Sequence, residues 1–392
     1  MIQSIAIILI LGTLGSMTLT RIGLPGLLGM MIVGVLIGPY GFNLLDASIM
    51  DSAVDIRMMA LVVILLRAGL GLNKEVLKSV GTVAIKMSAI PCLLEGFTVT
   101  AVAYCLLALP LAQAGMLGFI IAAVSPAVIV PSMLHLKEKG WGMDKGIPVI
   151  VLAGASVDDV FAITLFTAFL GMGLQTGGSM ILQVGLIPLQ IIAGIVLGLV
   201  ASYVLYKLFR IKKLQLLSEQ RMTFVVVAAF ATLLIGERYH IAGLLGIMTI
   251  GFVLLEKAPE IASKLAGQLG KVWFFAQIFL FVLIGAQVDI YVAWQAGLAG
   301  LIIIAFGLLA RTVGVFISLH GSALNHKEKL FCAIAYLPKA TVQAAIGGIP
   351  LAMGIPSGAV ILAIAVLAVM VTAPLGAVGI HTFAPRLLHK QR

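Results

Sequence analysis

Residues 24–37 read LPGLLGMMIVGVLI, and residues 241–254 read IAGLLGIMTIGFVL. Both segments contain GLLG, then a methionine and a further glycine at matched positions, 217 residues apart. A second pair recurs at almost the same distance, because Glu95 precedes Arg311 by 216 residues. These matches predict an internal repeat, and the repeat decides the fold.

The chain as a whole is too apolar to cover a water-facing surface. Of its 392 residues, 61% are apolar and 10% are charged, and the mean hydropathy is +1.19. Soluble domains average about a quarter charged residues, so the composition excludes a soluble enzyme, a disordered chain and, despite a net charge of +10, a nucleic-acid binder. It predicts a polytopic protein in a lipid bilayer. The cysteines lack metal-ligand spacing and predict neither a disulfide framework nor a zinc site; they are Cys92, Cys105 and Cys332.

Apolar runs between charge or turn clusters predict an all-α protein with thirteen transmembrane helices. The predicted segments are 2–20, 24–39, 57–72, 80–109, 112–134, 146–171, 180–206, 222–238, 241–255, 270–289, 292–318, 328–352 and 357–383. Three of them are short for a bilayer and require tilt or local thinning.

The distribution of basic residues predicts the orientation of these helices. Nineteen of the 25 Lys and Arg residues fall in the C-terminal tail or in loops that follow odd-numbered segments, and two fall in loops that follow even-numbered ones. Cytoplasmic loops carry the excess of positive charge. We therefore expect the N-terminus outside and the C-terminus in the cytoplasm, with the protein in the cell (inner) membrane.

The two halves of the repeat are predicted to face opposite ways across the bilayer. Pro126 precedes Pro338 by 212 residues, so this pair is also seven segments apart, and seven is odd. The predicted units are residues 1–179 and 207–392, with the helix at 180–206 as a linker. Inverted repeats of this kind are typical of secondary transporters that work by alternating access.

Asp158 and Asp159 are adjacent near the middle of a predicted span, in the sequence GASVDDVFAI. Ionisable groups at this depth are costly and point to function. Adjacent residues lie about 100° apart on a helix, so one carboxylate can face a cavity and the other a neighbouring helix. Carboxylate oxygens suit Na⁺ or Li⁺, and a carboxylate that cannot hold a proton and a cation at once is sufficient for exchange. The pair is therefore the predicted Na⁺ and proton site.

Two predicted spans contain a proline near their centre, at Pro126 and at Pro338. Proline removes a helical hydrogen bond, and an irregular backbone at membrane depth occurs where it is buried or lines a cavity. The repeat-related prolines predict two discontinuous helices that cross near the midplane. Lys339 follows the second break, and its ammonium is expected near the exposed carbonyl ends.

Three hydroxyl side chains close to the breaks and to the aspartates are candidate supporting ligands of the cation. Each of them has the alternative of a hydrogen bond to its own helix. They are Ser125, Ser156 and Thr341.

Glu95 and Arg311 are expected to pair, because neither charge can remain alone in hydrocarbon. Such a pair would act as a clamp or as a gate on exchange. The alternative is that Arg311 pairs with Asp158, and Arg67 is a further candidate counter-charge.

Six strings, taken in order, resemble the monovalent cation/proton antiporter superfamily, and most closely its sodium/proton antiporter branch with the NHA-type sodium/hydrogen exchangers. They are LPGLLG at 24–29, RAGLGL at 67–72, PCLLE at 91–95, VSPAVIVPSML at 124–134, the aspartate pair at 158–159 and LPKATVQAAIGG at 337–348.

The resemblance implies a homodimer in which each subunit has a dimerisation part and a mobile core. We expect the core at about 57–171 and 270–383, and the dimerisation part at about 1–56 and 180–269. The resemblance also implies that Asp159 is the principal carrier, assisted by Asp158, and that the substrates are Na⁺ or Li⁺ and H⁺ without a cofactor.

Exchange of K⁺ for H⁺ is the main alternative function, since carboxylates and carbonyls bind either cation. An organic-anion/sodium symporter and a channel are more remote. The adjacent aspartates would repel the anion that a symporter carries. A channel needs a selectivity filter or polar ring, and only two spans contain a break that could form one. An intramembrane aspartyl protease would need its two aspartates on facing helices, and adjacent residues cannot provide that.

Overall fold

The computed structural model describes residues 1–71, 82–174, 180–211, 216–239 and 241–390. In this part of the chain the regular structure is helical, with one isolated bridge between Trp141 and Lys390. Numbered in chain order, the described helices are α1 (Ile2–Arg21), α2 (Gly26–Ile37), α3 (Ala47–Asp51), α4 (Ala53–Leu70), α5 (Thr82–Leu107), α6 (Leu111–Ala122), α7 (Pro126–Glu138), α8 (Ile147–Leu174), α9 (Met180–Arg210), α10 (Ser218–Tyr239), α11 (Gly243–Lys257), α12 (Pro259–Ala286), α13 (Ile290–Ser318), α14 (His326–Ala335), α15 (Thr341–Ile346), α16 (Ile349–Ala352) and α17 (Gly358–Leu387).

Eight of the described helices are long and apolar enough to cross a membrane: α1, α5, α8, α9, α10, α12, α13 and α17. Together with the composition, they make this a multi-pass membrane protein. A helix is found within each of the thirteen predicted segments. Five of the basic residues used for the orientation lie outside the described residues: Lys74, Lys78, Lys212, Lys213 and Arg392.

The helix at the predicted membrane span 270–289 begins well before that span. Helix α12 begins at Pro259 and contains Lys264 and Lys271. Charged residues limit the part of a helix that lies in hydrocarbon, but they do not end the helix. Proline at the first helical position favours a start at residue 259.

The segments at 112–134 and 328–352 are both divided at their prolines. Helix α6 ends at Ala122 and α7 begins at Pro126, with extended backbone between them. Helix α14 ends at Ala335 and α15 begins at Thr341. The two breaks contact each other, because the Ser125 N–H donates to the Pro338 carbonyl at 2.9 Å.

Close helix packing explains the glycines of the repeated motif. A Cβ on Gly29 would lie 2.0 Å from the Gly15 carbonyl oxygen of α1, and one on Gly246 would lie 2.9 Å from the Gly194 carbonyl oxygen of α9. Small residues permit such contacts between helix backbones in membranes. The matched glycines are therefore packing positions in both halves.

The helix contacts form two main sets, and the division at residues 57 and 270 stays a prediction. Helix α4 packs on α11 and α12, and α12 packs on α2. Helix α13 packs on α5, which also contacts α6 and α8. The expected core limits follow apolar segments along the chain, whereas this packing associates α4 and α12 with α2 and α11.

A polar brace joins the loop before α8 to the start of α14. The Lys145 ammonium lies 2.8 Å from Oε2 of Glu328, and the Asn325 N–H donates to the same oxygen at 2.7 Å. The Asn325 side chain accepts from the Glu328 N–H in return, which forms a capping box. The brace joins two segments that are far apart in the chain.

The substitution Glu328→Ala is expected to lower the free energy of unfolding by about 1–2 kcal/mol, since it removes a cap and an ion pair in which Lys145 is partly exposed. Thermal unfolding of purified protein in detergent measures this loss. Glu138→Ala, at an exposed glutamate at the end of α7, is the matched control. Equal melting temperatures for the two variants would contradict the structural role of the brace.

Candidate ion-binding site

Asp158 and Asp159 lie on α8, opposite the break between α6 and α7. Oδ2 of Asp158 accepts a hydrogen bond from the Val124 N–H at 2.7 Å, and its Oδ1 lies 3.6 Å from Nη1 of Arg311. Asp159 is 6% exposed, and its Oδ1 has no hydrogen-bond partner in the part of the chain that the structure describes. The adjacent positions thus give the two carboxylates different surroundings.

Glu95 is the shared acceptor of two buried bases. Its Oε2 accepts from Nε of Arg311, and from the Lys339 ammonium at 2.6 Å. All three side chains are fully buried. Glu95 and Arg311 therefore contact each other, and the alternative partner Asp158 lies at a longer distance, 3.6 Å from Nη1 of the same guanidinium.

The Lys339 side chain is part of the buried charge cluster. Its ammonium binds Glu95, and the carbonyl end of α6 is contacted by Arg311 instead, whose Nη2 donates to the Ala122 carbonyl. The backbone N–H of Lys339 donates to Oγ1 of Thr372 at 2.9 Å. The side chain of Lys339 thus joins the second break to Glu95 on α5.

Arg67 is not part of this cluster. Its half-buried guanidinium lies 5.7 Å from the centre of the Trp273 ring on α12, a cation–π contact. The structure therefore separates Arg67 from the bases that compensate the site.

The three candidate hydroxyl ligands differ in what the structure shows of their side chains. Ser125 is fully buried in the first break, and its Oγ has no hydrogen-bond partner among the described residues. Thr341 is buried at the first position of α15. The side chain of Ser156 lies outside the described residues.

Two residues at the site were not identified from the sequence. The Gln343 amide, on α15, donates to the Ile120 and Ala123 carbonyls, at 2.8 Å each. Tyr336 is fully buried with its ring 5.8 Å from the Arg311 guanidinium. The signal for Gln343 in the sequence is an amide side chain within an apolar span, where polar groups tend to bond to other helices. Nothing in the sequence distinguishes Tyr336 from other aromatic residues.

The charges of the buried cluster do not cancel. Arg311 and Lys339 supply two positive charges, and ionised Glu95, Asp158 and Asp159 supply three negative ones. Glu95 and Asp158 both face the bases, so the carboxylate in excess is that of Asp159. A buried carboxylate without a counter-charge requires a proton or a cation.

The oxygen atoms without partners have the chemistry of a site for a hard cation. In the described part of the chain, buried oxygens without a hydrogen bond include Oδ1 of both aspartates, Oγ of Ser125 and Oε1 of Gln343. Carboxylate, carbonyl and hydroxyl oxygens are the usual ligands of such ions. No group of three or more His, Cys, Asp or Glu residues is placed to hold a metal among the described residues.

Comparison with known proteins is consistent with this chemistry. The sequence profile of the sodium/hydrogen exchanger transmembrane family matches residues 5–384. Sodium/hydrogen exchanger 9B2 of Homo sapiens is 34% identical over 380 residues, which cover 94% of this chain and 70% of that protein. Sodium/hydrogen exchanger 9B1 of Macaca fascicularis is 31% identical over 382 residues, with 94% and 74% covered.

A solved structure has the same fold. The sodium proton antiporter MjNhaP1 from Methanocaldococcus jannaschii superposes with a TM-score of 0.78 at 20% identity, covering 98% of this chain and 97% of that one. At this identity the match shows the fold alone. The profile and the curated relatives show more: this chain belongs to the sodium/hydrogen exchanger family, cation/proton antiporters that carry Na⁺ and H⁺ as substrates and use no cofactor.

Proposed function

We propose that this protein exchanges Na⁺, with Li⁺ as a second substrate, for H⁺ by alternating access, and that Asp159 holds either the proton or the cation. The observation that carries the proposal is the single uncompensated carboxylate in a buried cluster of five ionisable groups. Asp158, Ser125 and Thr341 are the supporting residues that we propose, together with Ser156.

The fixed charges give a physical reason for coupling. With a cation or a proton on Asp159 the cluster is neutral, whereas without either ligand it carries one negative charge. A buried net charge is costly in a low-dielectric region. The core therefore moves across the membrane less readily with an empty site than with a loaded one. Arginine does not release a proton in proteins, and Lys339 is held by Glu95 at 2.6 Å. The two bases therefore keep the same positive charge throughout the cycle.

The proposed cycle follows from these charges. Asp159 releases its proton on one side of the membrane and binds a cation there, and the core then moves so that the site opens to the other side. The contact between the two breaks, through the Ser125 N–H and the Pro338 carbonyl, keeps the half-helices together during this movement.

The proposed architecture has thirteen membrane crossings and two inverted repeats, at 1–179 and 207–392, joined by the helix that begins at residue 180. We propose an outside N-terminus, a cytoplasmic C-terminus and a homodimer in the cell membrane. The packing of α4 and α12 favours assigning both helices to the dimerisation part, with α1, α2 and α9–α11. The core would then consist of α5–α8 and α13–α17.

Proton flux into proteoliposomes, measured with Na⁺, Li⁺ and K⁺ in turn, tests the function. We expect Na⁺ and Li⁺ to drive proton movement. Because a single carboxylate exchanges one cation for one proton, the rate is expected to be the same with the membrane potential clamped or free. Stronger exchange with K⁺ would favour the K⁺/H⁺ alternative, and a potential-dependent rate would contradict the one-for-one cycle.

A further inference from the structure

Gln343 is a buried amide that joins the two broken helices. It lies on α15, directly after the second break, and is 1% exposed. Its Nε2 donates to the Ile120 and Ala123 carbonyls, at 2.8 Å each, and lies 3.4 Å from the Ile121 carbonyl. The second broken helix thereby holds the end of the first.

These contacts occupy the carbonyl groups that a broken helix leaves without partners. The last carbonyls of a helix have no intrahelical donor. At the end of α6, Gln343 donates to those of Ile120 and Ala123, and Arg311 donates to that of Ala122. The backbone oxygens at this end thus already have side-chain donors, and side-chain oxygens remain for a cation.

The same contacts fix the orientation of the Gln343 amide. If the amide were rotated by half a turn, its oxygen would face two carbonyl oxygens, so only one orientation satisfies the site. In that orientation Oε1 is buried without a hydrogen-bond partner among the described residues. An unpaired buried oxygen of this kind is costly unless a ligand binds it.

The Gln343 amide and the Asp158 carboxylate bind the same peptide group of the first break. Three consecutive residues of the first break contact the site in turn. Ala123 accepts from Gln343, Val124 donates to Asp158, and Ser125 carries an unpaired hydroxyl oxygen. The Ala123 carbonyl and the Val124 N–H belong to one peptide group, so Gln343 and Asp158 bind its two sides and are separated by the width of that group.

We propose that Oε1 of Gln343 is a ligand of the transported cation, positioned by the hydrogen bonds that its amide donates to Ile120 and Ala123. This inference rests on the proposed function and deepens it. A cation needs several oxygen ligands, whereas a proton needs only the carboxylate. Gln343 therefore strengthens cation binding without adding charge, and its removal weakens the binding of Na⁺ more than that of the proton.

The test compares Gln343→Met with wild-type protein in proteoliposomes. The KM for Na⁺ is expected to rise by about tenfold or more, the cost of one lost ligand, while the maximal rate at saturating Na⁺ stays close to that of wild type. The rise in melting temperature that Na⁺ produces in detergent is expected to be lost. Gln113→Met, the same change near the start of α6, is the matched control and should keep both values.

A KM for Na⁺ within about twofold of wild type would overturn the inference, as would a reduced maximal rate with an unchanged KM, which indicates a structural clamp. Gln343→Asn retains the amide but is shorter by one methylene group, and a raised KM is expected for it too. If Gln343→Met does not fold, the KM of Gln343→Asn for Na⁺ tests the inference in its place. An absence of cation-driven proton flux in the wild-type protein would contradict the proposed function itself. Normal wild-type flux, together with an unaltered KM for Na⁺ in Gln343→Met, would contradict this inference alone.

Discussion

Asp159→Asn is expected to reduce Na⁺-driven proton movement in proteoliposomes to the level of empty vesicles. An asparagine amide neither releases a proton nor carries the negative charge that a cation neutralises. The substitution also changes the buried cluster from three negative charges to two, which Arg311 and Lys339 already balance. With no ionisable oxygen at position 159, the variant can load neither the proton nor the cation there.

Asp158→Asn is the matched control, because it makes the same chemical change at the adjacent residue. The carboxylate of Asp158 accepts from the Val124 N–H, and an asparagine oxygen can still accept this bond. We expect a weaker defect, with measurable exchange remaining. Undiminished exchange in Asp159→Asn, or equal loss in both variants, would contradict the assignment of Asp159 as the carrier.

Glu95→Gln is expected to cause the largest loss of stability, about 3–5 kcal/mol, because it leaves buried positive charges without their partner. Two bases depend on this carboxylate, and of these Arg311 retains Asp158 at 3.6 Å. Lys339 has no second carboxylate within ion-pair distance in the described part of the chain. Thermal or denaturant unfolding of the purified variants measures the effect.

A double-mutant cycle with Lys339→Gln identifies the origin of this loss. Once Glu95 is neutral, removing the lysine charge should recover part of the stability, so the double variant is expected to be more stable than Glu95→Gln alone. Lys86→Gln, at an exposed lysine of α5, is the control. Additive losses in the cycle would show that Glu95 and Lys339 are not coupled. A simple exchange of charges between Glu95 and Arg311 is not expected to restore stability, because a base at position 95 would face Lys339.

Much of this protein follows from rules that act locally along the chain. Hydrocarbon allows few charges, so apolar runs indicate the helices, and Asp158 and Asp159 are conspicuous within one of them. Proline removes a bond from the helical ladder, and the repeat-related Pro126 and Pro338 lie at the break between α6 and α7 and at the break between α14 and α15. Pro91 and Pro188, in contrast, lie inside continuous helices. These conclusions need only the sequence, because their causes lie within one segment.

The choice of partners required the tertiary structure. The ammonium of Lys339 binds Glu95, which is 244 residues away in the chain, and the buried Arg57 lies against Gly348, in the turn between α15 and α16. Gln343 became visible only when α15 was found beside the end of α6. The local sequence requires that each buried charge or amide find a partner. Which partner it finds depends on how distant segments cross, and that is decided by the packing of the whole molecule.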